Sequence, residues 1–140
     1  MKILVCGGRD YGLNEKERNH ILSVLGQFAI DNSTCYVPND NWLPSDFVII
    51  AGGAKGVDTV AIDWAVVNWC LFKEYLPQWN LYGKAAGAIR NKQMLEEGRP
   101  DIVIAFPGGR GTENMKAQAR LAGIQVMEIP PLKPSSNHAL

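Results

Sequence analysis

The chain has no surplus of charge of either sign. Its 140 residues carry 14 Lys and Arg against 14 Asp and Glu, for a formal net charge of zero. Proteins that live on nucleic acid usually show a basic surplus, so the balance argues against a nucleic-acid partner while leaving room for a local basic patch. Long apolar runs are missing too. None approaches the roughly 20 residues needed to span a bilayer, and no membrane partner is expected. Cysteine is scarce: Cys6, Cys35 and Cys70 are odd in number, with no CxxC and no histidine pair beside them. That excludes a disulfide framework and a zinc site, and predicts reduced thiols in a cytoplasmic protein, with Cys6 and Cys70 packing as small hydrophobes. The two histidines, His20 and His138, lie far apart and receive no catalytic role. The opening "MKILVCGG" has one lysine and a short apolar run before glycines, and reads as a first strand, not a signal peptide. Neither a metal nor a cofactor is expected.

What is present suits a folded globular protein. Apolar residues make up 46% and charged residues 20%, and the length is enough for one domain to bury about two-thirds of its unfolded surface. Five short apolar runs recur, at residues 2–6, 47–51, 71–76, 102–106 and 125–129, the third being the weakest. The first, second and fourth are almost continuously apolar, the pattern of strands buried on both faces of a parallel sheet. Helical spacing fills the intervals. Ile21, Leu22, Val24, Leu25, Phe28 and Ala29 form one stripe, residues 57–69 are apolar nearly all round, and residues 88–97 and 112–122 add two helices, with Gly123 where a C′ glycine belongs. Residues 31–46 read as a surface insertion, and residues 130–140 as a flexible tail beyond a single domain at 1–129. The alternation predicts an α/β, Rossmann-like, doubly wound parallel sheet of about five strands in the order 3-2-1-4-5, with helices on both faces. Ligands in such sheets bind outside the carboxyl ends of the strands, where the strand order reverses.

Three glycine-rich loops fall at that edge: "GGRDYG" at 7–12, "GGAKG" at 52–56 and "PGGRG" at 107–111. Glycine allows close approach to the backbone, and a following helix offers free N–H groups and a partial positive charge. Arg9, Lys55 and Arg110 add cations to the rim. One such loop is only turn geometry; three converging loops predict phosphate or nucleotide binding. The patterns are neither GxGxxG nor GxxxxGK[ST], which disfavours a dinucleotide cofactor or a P-loop ATPase.

"GGRDY", "GGAKGVDTVAIDWA", "GAIRNKQML" and "PDIVIAFPGGRGTENM" together resemble the YspA-type, YpsA-related members of the SLOG superfamily, found in bacteria and phages. The resemblance covers most of residues 1–129; the insertion at 31–46 departs from it. It implies a Rossmann-like fold and nucleotide-related ligands, in a superfamily that includes cytokinin-activating phosphoribohydrolases, the DNA-processing protein A family and sensors of nucleotide second messengers. The phosphoribohydrolase branch carries PGGxGTxxE. Pro107, Gly108, Gly109, Gly111 and Thr112 match it, and Arg90 looks like that branch's arginine. Its catalytic glutamate is replaced by Met115. An oxocarbenium-like transition state needs a carboxylate, which methionine does not supply. Glu113 is a poor substitute, because two residues along a helix is a rotation of roughly 200°. Asp10 or Asp58 would have to serve.

These readings make Gly7, Gly8, Arg9, Gly52, Gly53, Lys55, Asp58, Arg90, Asn91, Pro107, Gly108, Gly109, Arg110, Gly111 and Thr112 the candidate phosphate and ligand residues, and Arg90, Asp10 and Asp58 the candidate catalytic ones. Each has a plainer alternative: turn geometry for the glycines, an N-cap for Thr112, a solvated helix residue for Arg90, a helix-dipole partner for Asp58. Trp79 and Tyr82, in the loop "QWNLYG", would stack on a base or pack. The leading expectation is a binding domain for a nucleotide or nucleotide-derived ligand, as sensor or scavenger. The alternatives are a nucleoside-monophosphate phosphoribohydrolase and a single-stranded DNA binder. The apolar girth of residues 57–69 predicts a homodimer, with Trp64 or Trp69 as an anchor.

Overall fold

The computed structural model describes residues 1–32 and 47–132. The expected insertion at 31–46 and tail at 130–140 therefore lie outside the described residues, except for Asp31, Asn32 and residues 130–132; Cys35 and His138 lie outside them as well.

Strand β1 (Lys2–Cys6) leads into helix α1 (Glu15–Asn32), then β2 (Val48–Gly52) and α2 (Val57–Val67). After β3 (Leu71–Tyr75) come a four-residue helix, α3 (Trp79–Tyr82), a 3-10 turn (Gly83–Ala85) and α4 (Ala86–Gly98). β4 (Ile102–Ala105), α5 (Arg110–Leu121) and β5 (Gln125–Glu128) complete the series. The sheet is five-stranded in the order β3-β2-β1-β4-β5, and all four pairings are parallel. This is the expected order, with strand ends within one residue of those read from the sequence.

The period-2 alternation of each strand sorts its side chains between two cores. Ile3, Val5, Ile49, Ile102 and Ile104 face α1 and α2, whose Ile21, Leu25, Val60, Ala61 and Trp64 cover them. Leu4, Cys6, Ile50, Val103 and Ala105 face the other way, under Met94 and Leu95 of α4 and Met115 and Ala119 of α5. Both faces are thus covered by helices, which is why the central strands read as unbroken apolar runs.

Two expectations are corrected. The helix expected over 57–69 stops at Val67, and Trp69 turns away with φ 59° and 83% exposure. Its apolar girth is split: Trp64 is buried in its own chain's core and is not an interface anchor, whereas Val66 and Val67 are exposed. The stretch around Trp79 and Tyr82, read as a loop, contains a helical turn too short to show periodicity. No helix among the described residues is long and apolar enough to cross a membrane.

Candidate functional site

The carboxyl ends of β1, β2 and β4 open into one cavity of about 530 Å³. Its walls come from Cys6, Gly7, Gly8 and Arg9 after β1, Gly53, Ala54 and Asp58 after β2, and Gly109, Gly111 and Thr112 after β4. Leu76, Pro77 and Trp79 close one side, and Gly87, Arg90, Asn91 and Met94 of α4 close another. The three loops converge as expected, but they do different work.

The first loop is packed, not open. The Gly8 N–H donates to the Pro107 carbonyl at 2.8 Å, so it is spent within the protein. A Cβ on Gly8 would lie 3.1 Å from Gly108 Cα, which locks the first loop against the third. The second loop is tied to the first. Gly56 has φ +75°, and a Cβ there would run into the carbonyls of Gly8, Arg9 and Tyr11. The Val57 N–H donates to the Gly8 carbonyl, and Asp58 Oδ2 accepts from the Ala54 N–H at 3.2 Å. One donor at the start of α2, the Val57 N–H, is thus spent within the protein, although its N-cap residue Gly56 offers no side-chain cap.

At the third loop no carbonyl of a neighbouring loop takes an N–H at the start of the helix, among the described residues. Its N-cap residue, Gly109, offers no side-chain cap, and the first closing bond of α5 is Glu113 N–H to the Gly109 carbonyl. The preceding N–H groups of that turn have no partner within the helix. Nothing lies within 4 Å of a Cβ placed on Gly109 or Gly111. These two glycines are not demanded by packing, and they keep the backbone clear on the cavity side. Uncapped donors at the positive end of a helix suit an anion.

Arg90 lines the same cavity as that turn. Its Nε donates to Asn91 Oδ1 at 3.2 Å and its Nη1 reaches the Tyr75 carbonyl at 3.5 Å. Among the described residues it forms no ion pair. Burial pulls its pKa below the ordinary value, against the pull of nearby Asp58 and Cys6. Asp58 is 6% exposed, and burial pushes its carboxyl up to about 6; Arg90, the Ala54 N–H and Arg9 resist the shift, and Glu74 adds to it. The Cys6 thiol on the floor is pushed up to about 12 by burial and by Asp58, so it stays protonated and is no nucleophile.

Several of the other sequence candidates fall outside the lining. Gly52 lies directly behind the Arg90 guanidinium. Pro107 and Gly108 form the back of the third loop, against Gly8. Lys55, Arg110 and Asp10 are exposed and do not line the cavity, whereas Arg9 does. Tyr82 is exposed outside it. Thr112 is 5% exposed and lines it. Met115 is wholly buried in the apolar core under Met94, where a carboxylate would have no water. Sequence reasoning missed Cys6, Ala54, Leu76, Pro77, Gly87 and Met94. Strand alternation marks Cys6 as facing α4 and Ala54 sits in the second glycine loop, but nothing local marks the others.

No protein-family model matches the chain. Over 96 residues it is 36% identical to the Gene 61 protein of Mycobacterium phage D29, a stretch that takes in 61% of this chain and 74% of the relative. The chain belongs to that protein's family. Among solved structures, its fold is similar to that of DNA processing protein A from Streptococcus pneumoniae, with a TM-score of 0.68 over 96% of this chain. The chain spans about half of that structure's length (52%), and at 19% identity the likeness is one of fold. It is the Rossmann-like fold that the resemblance to the SLOG superfamily implied.

Proposed function

We propose that the protein binds a nucleotide or nucleotide-derived phosphorylated ligand in this cavity, as a sensor or scavenger, and that it is a YspA-type SLOG domain. The observation that carries the reading is Arg90: a half-buried guanidinium that forms no ion pair among the described residues and lines the same cavity as the uncapped first turn of α5. Asp58 is near Arg90 but not at ion-pair distance, so a half-buried cation gains from an added anion, and a phosphate would satisfy it and the free N–H groups together. Trp79, half exposed on the lining, offers a face to a base. The cavity volume falls in the range of small-molecule sites.

Calorimetry with nucleoside mono-, di- and triphosphates tests this. Saturable binding that Gly109→Val abolishes is expected. No binding across the panel contradicts it.

Asp58 supports a second reading, a nucleoside-monophosphate phosphoribohydrolase. A carboxyl held at about 6 inside the cavity exchanges a proton near neutral pH, as cleavage of an N-glycosidic bond requires. Free base released from nucleoside monophosphates, and lost in Asp58→Ala, would favour it. The similar fold belongs to a protein named for DNA processing, so single-stranded DNA is the third ligand to try; a salt-dependent mobility shift is its signature, and the zero net charge weighs against it.

A further inference from the structure

Asn91 is 2% exposed, the most buried polar side chain on the cavity wall. Its amide oxygen accepts from Arg90 Nε at 3.2 Å. Its nitrogen donates to the Gly111 carbonyl at 3.0 Å and to Asn114 Oδ1 at 3.1 Å. A carboxamide has two N–H donors, and both are spent inside the protein. Nothing is left on that nitrogen for a ligand phosphate.

We propose that Asn91 is a positioning residue: it latches the Arg90 guanidinium to the first turn of α5, so that the cation and the free N–H groups meet at one anion. Arg90 has one other hydrogen bond among the described residues, the 3.5 Å contact to Tyr75, at the outer limit of such a bond. Asn91 is therefore its firm hold. On the far side the latch is braced. Asn114 Oδ1 also accepts from Gln118 Nε2 at 2.7 Å, and Gln118 reaches back to the Ala88 carbonyl at 3.2 Å. A polar chain thus runs from Arg90 on α4 to α5 and back to α4. A neutral amide suits the task, because it accepts from a cation on one side and donates to two oxygens on the other. Aspartate keeps the first contact and loses both others; leucine loses all three.

The proposal rests on the nucleotide reading only for the name of the anion, so the test has a ligand-free arm. In the ligand-free protein, NMR follows the Arg90 Nε–H signal and the backbone amides of residues 111–114. Asn91→Leu is expected to shift both sets; Asn91→Asp, which puts a carboxylate acceptor on the Arg90 Nε–H and removes both donors, is expected to shift the amides. An Arg90 signal unmoved in Asn91→Leu, or amides unmoved in Asn91→Asp, overturns the latch. The second arm compares adenosine monophosphate with adenosine by calorimetry. The preference for the phosphorylated ligand is expected to fall about tenfold in Asn91→Leu, the scale of one charge-assisted hydrogen bond, with adenosine affinity within about twofold of wild type. Equal losses for both ligands, or an unchanged preference, mean that Asn91 only glues the helices and overturn the proposal. If wild-type protein binds neither compound, the nucleotide reading fails and the ligand-free arm alone decides the latch. Should Asn91→Leu not fold, the Asn91→Asp amide shifts decide it.

Discussion

The Arg90 guanidinium occupies the space that a Cβ on Gly52 would need, and the same Cβ would stand 2.9 Å from Asp58 Oδ2. Gly52 is thus fixed by its neighbours' chemistry. A strand-end glycine leaves a hollow, and α4 fills it with a cation. In Gly52→Ala the methyl displaces Arg90, and the affinity for a nucleoside monophosphate is expected to fall at least about tenfold. Calorimetry on the variant checks this. Unchanged affinity would remove Arg90 from the binding site.

Asp58 gives a pH signature. Its folded-state carboxyl sits at about 6, above the ordinary 3.8. A raised carboxyl means that the folded state favours the protonated form. The penalty is absent below about pH 4, grows as pH rises through the interval between the two values, and is complete above about 6. Asp58→Asn, which keeps an acceptor for the Ala54 N–H, should therefore match wild-type stability at pH 4 and exceed it by on the order of 2 kcal/mol at pH 7. Urea unfolding at several pH values measures the difference. A flat difference contradicts the burial account.

Met115 tests the link to the phosphoribohydrolase motif. With no exposure at all, a glutamate there would bury a carboxylate among Met94, Leu95 and Ala105. Met115→Glu should lose about 3 kcal/mol or more, whereas Met115→Leu should lose less than about 1.5 kcal/mol. A Met115→Glu protein as stable as wild type and active on nucleoside monophosphates would show that the motif position reaches the cavity after all.

We also propose a homodimer, carried by the exposed Val66, Val67 and Trp69 at the end of α2. Contiguous exposed apolar groups of this kind mark partner surfaces. Light scattering at micromolar concentration should give a dimer mass that Trp69→Glu lowers to a monomer mass. A monomer mass for wild-type protein overturns the assembly.

The sheet was legible because its signals are local and redundant. Continuous apolar runs such as "KILVC" and "IVIAF" announce strands covered on both faces, and right-handed crossovers leave few orders to choose from. The carboxyl edge was legible for the same reason: each run ends in glycines. The division of labour among the loops was not. Residues 52–56 and 107–111 look alike as sequence and neither following helix has a side-chain N-cap, yet the Val57 N–H at the start of α2 is taken by the Gly8 carbonyl, while the start of α5 receives no such bond among the described residues. That difference depends on a contact between loops some fifty positions apart in sequence. Arg9, Lys55 and Arg110 were equivalent cations on paper, and only Arg9 lines the cavity. Met94 and Gly87 were invisible as site residues because a helix face has no meaning until the opposing sheet is placed. Trp69 misled because helical periodicity does not report where a helix stops; the left-handed turn at its φ of 59° does.

A crystal structure of the protein with a nucleoside monophosphate bound tests the central claim most directly. The account predicts the phosphate between the Arg90 guanidinium and the free N–H groups of Gly111 and Thr112, with the base beside Trp79. A phosphate seated instead on the α2 turn or on exposed Lys55 and Arg110, or an empty cavity at millimolar nucleotide, would contradict it.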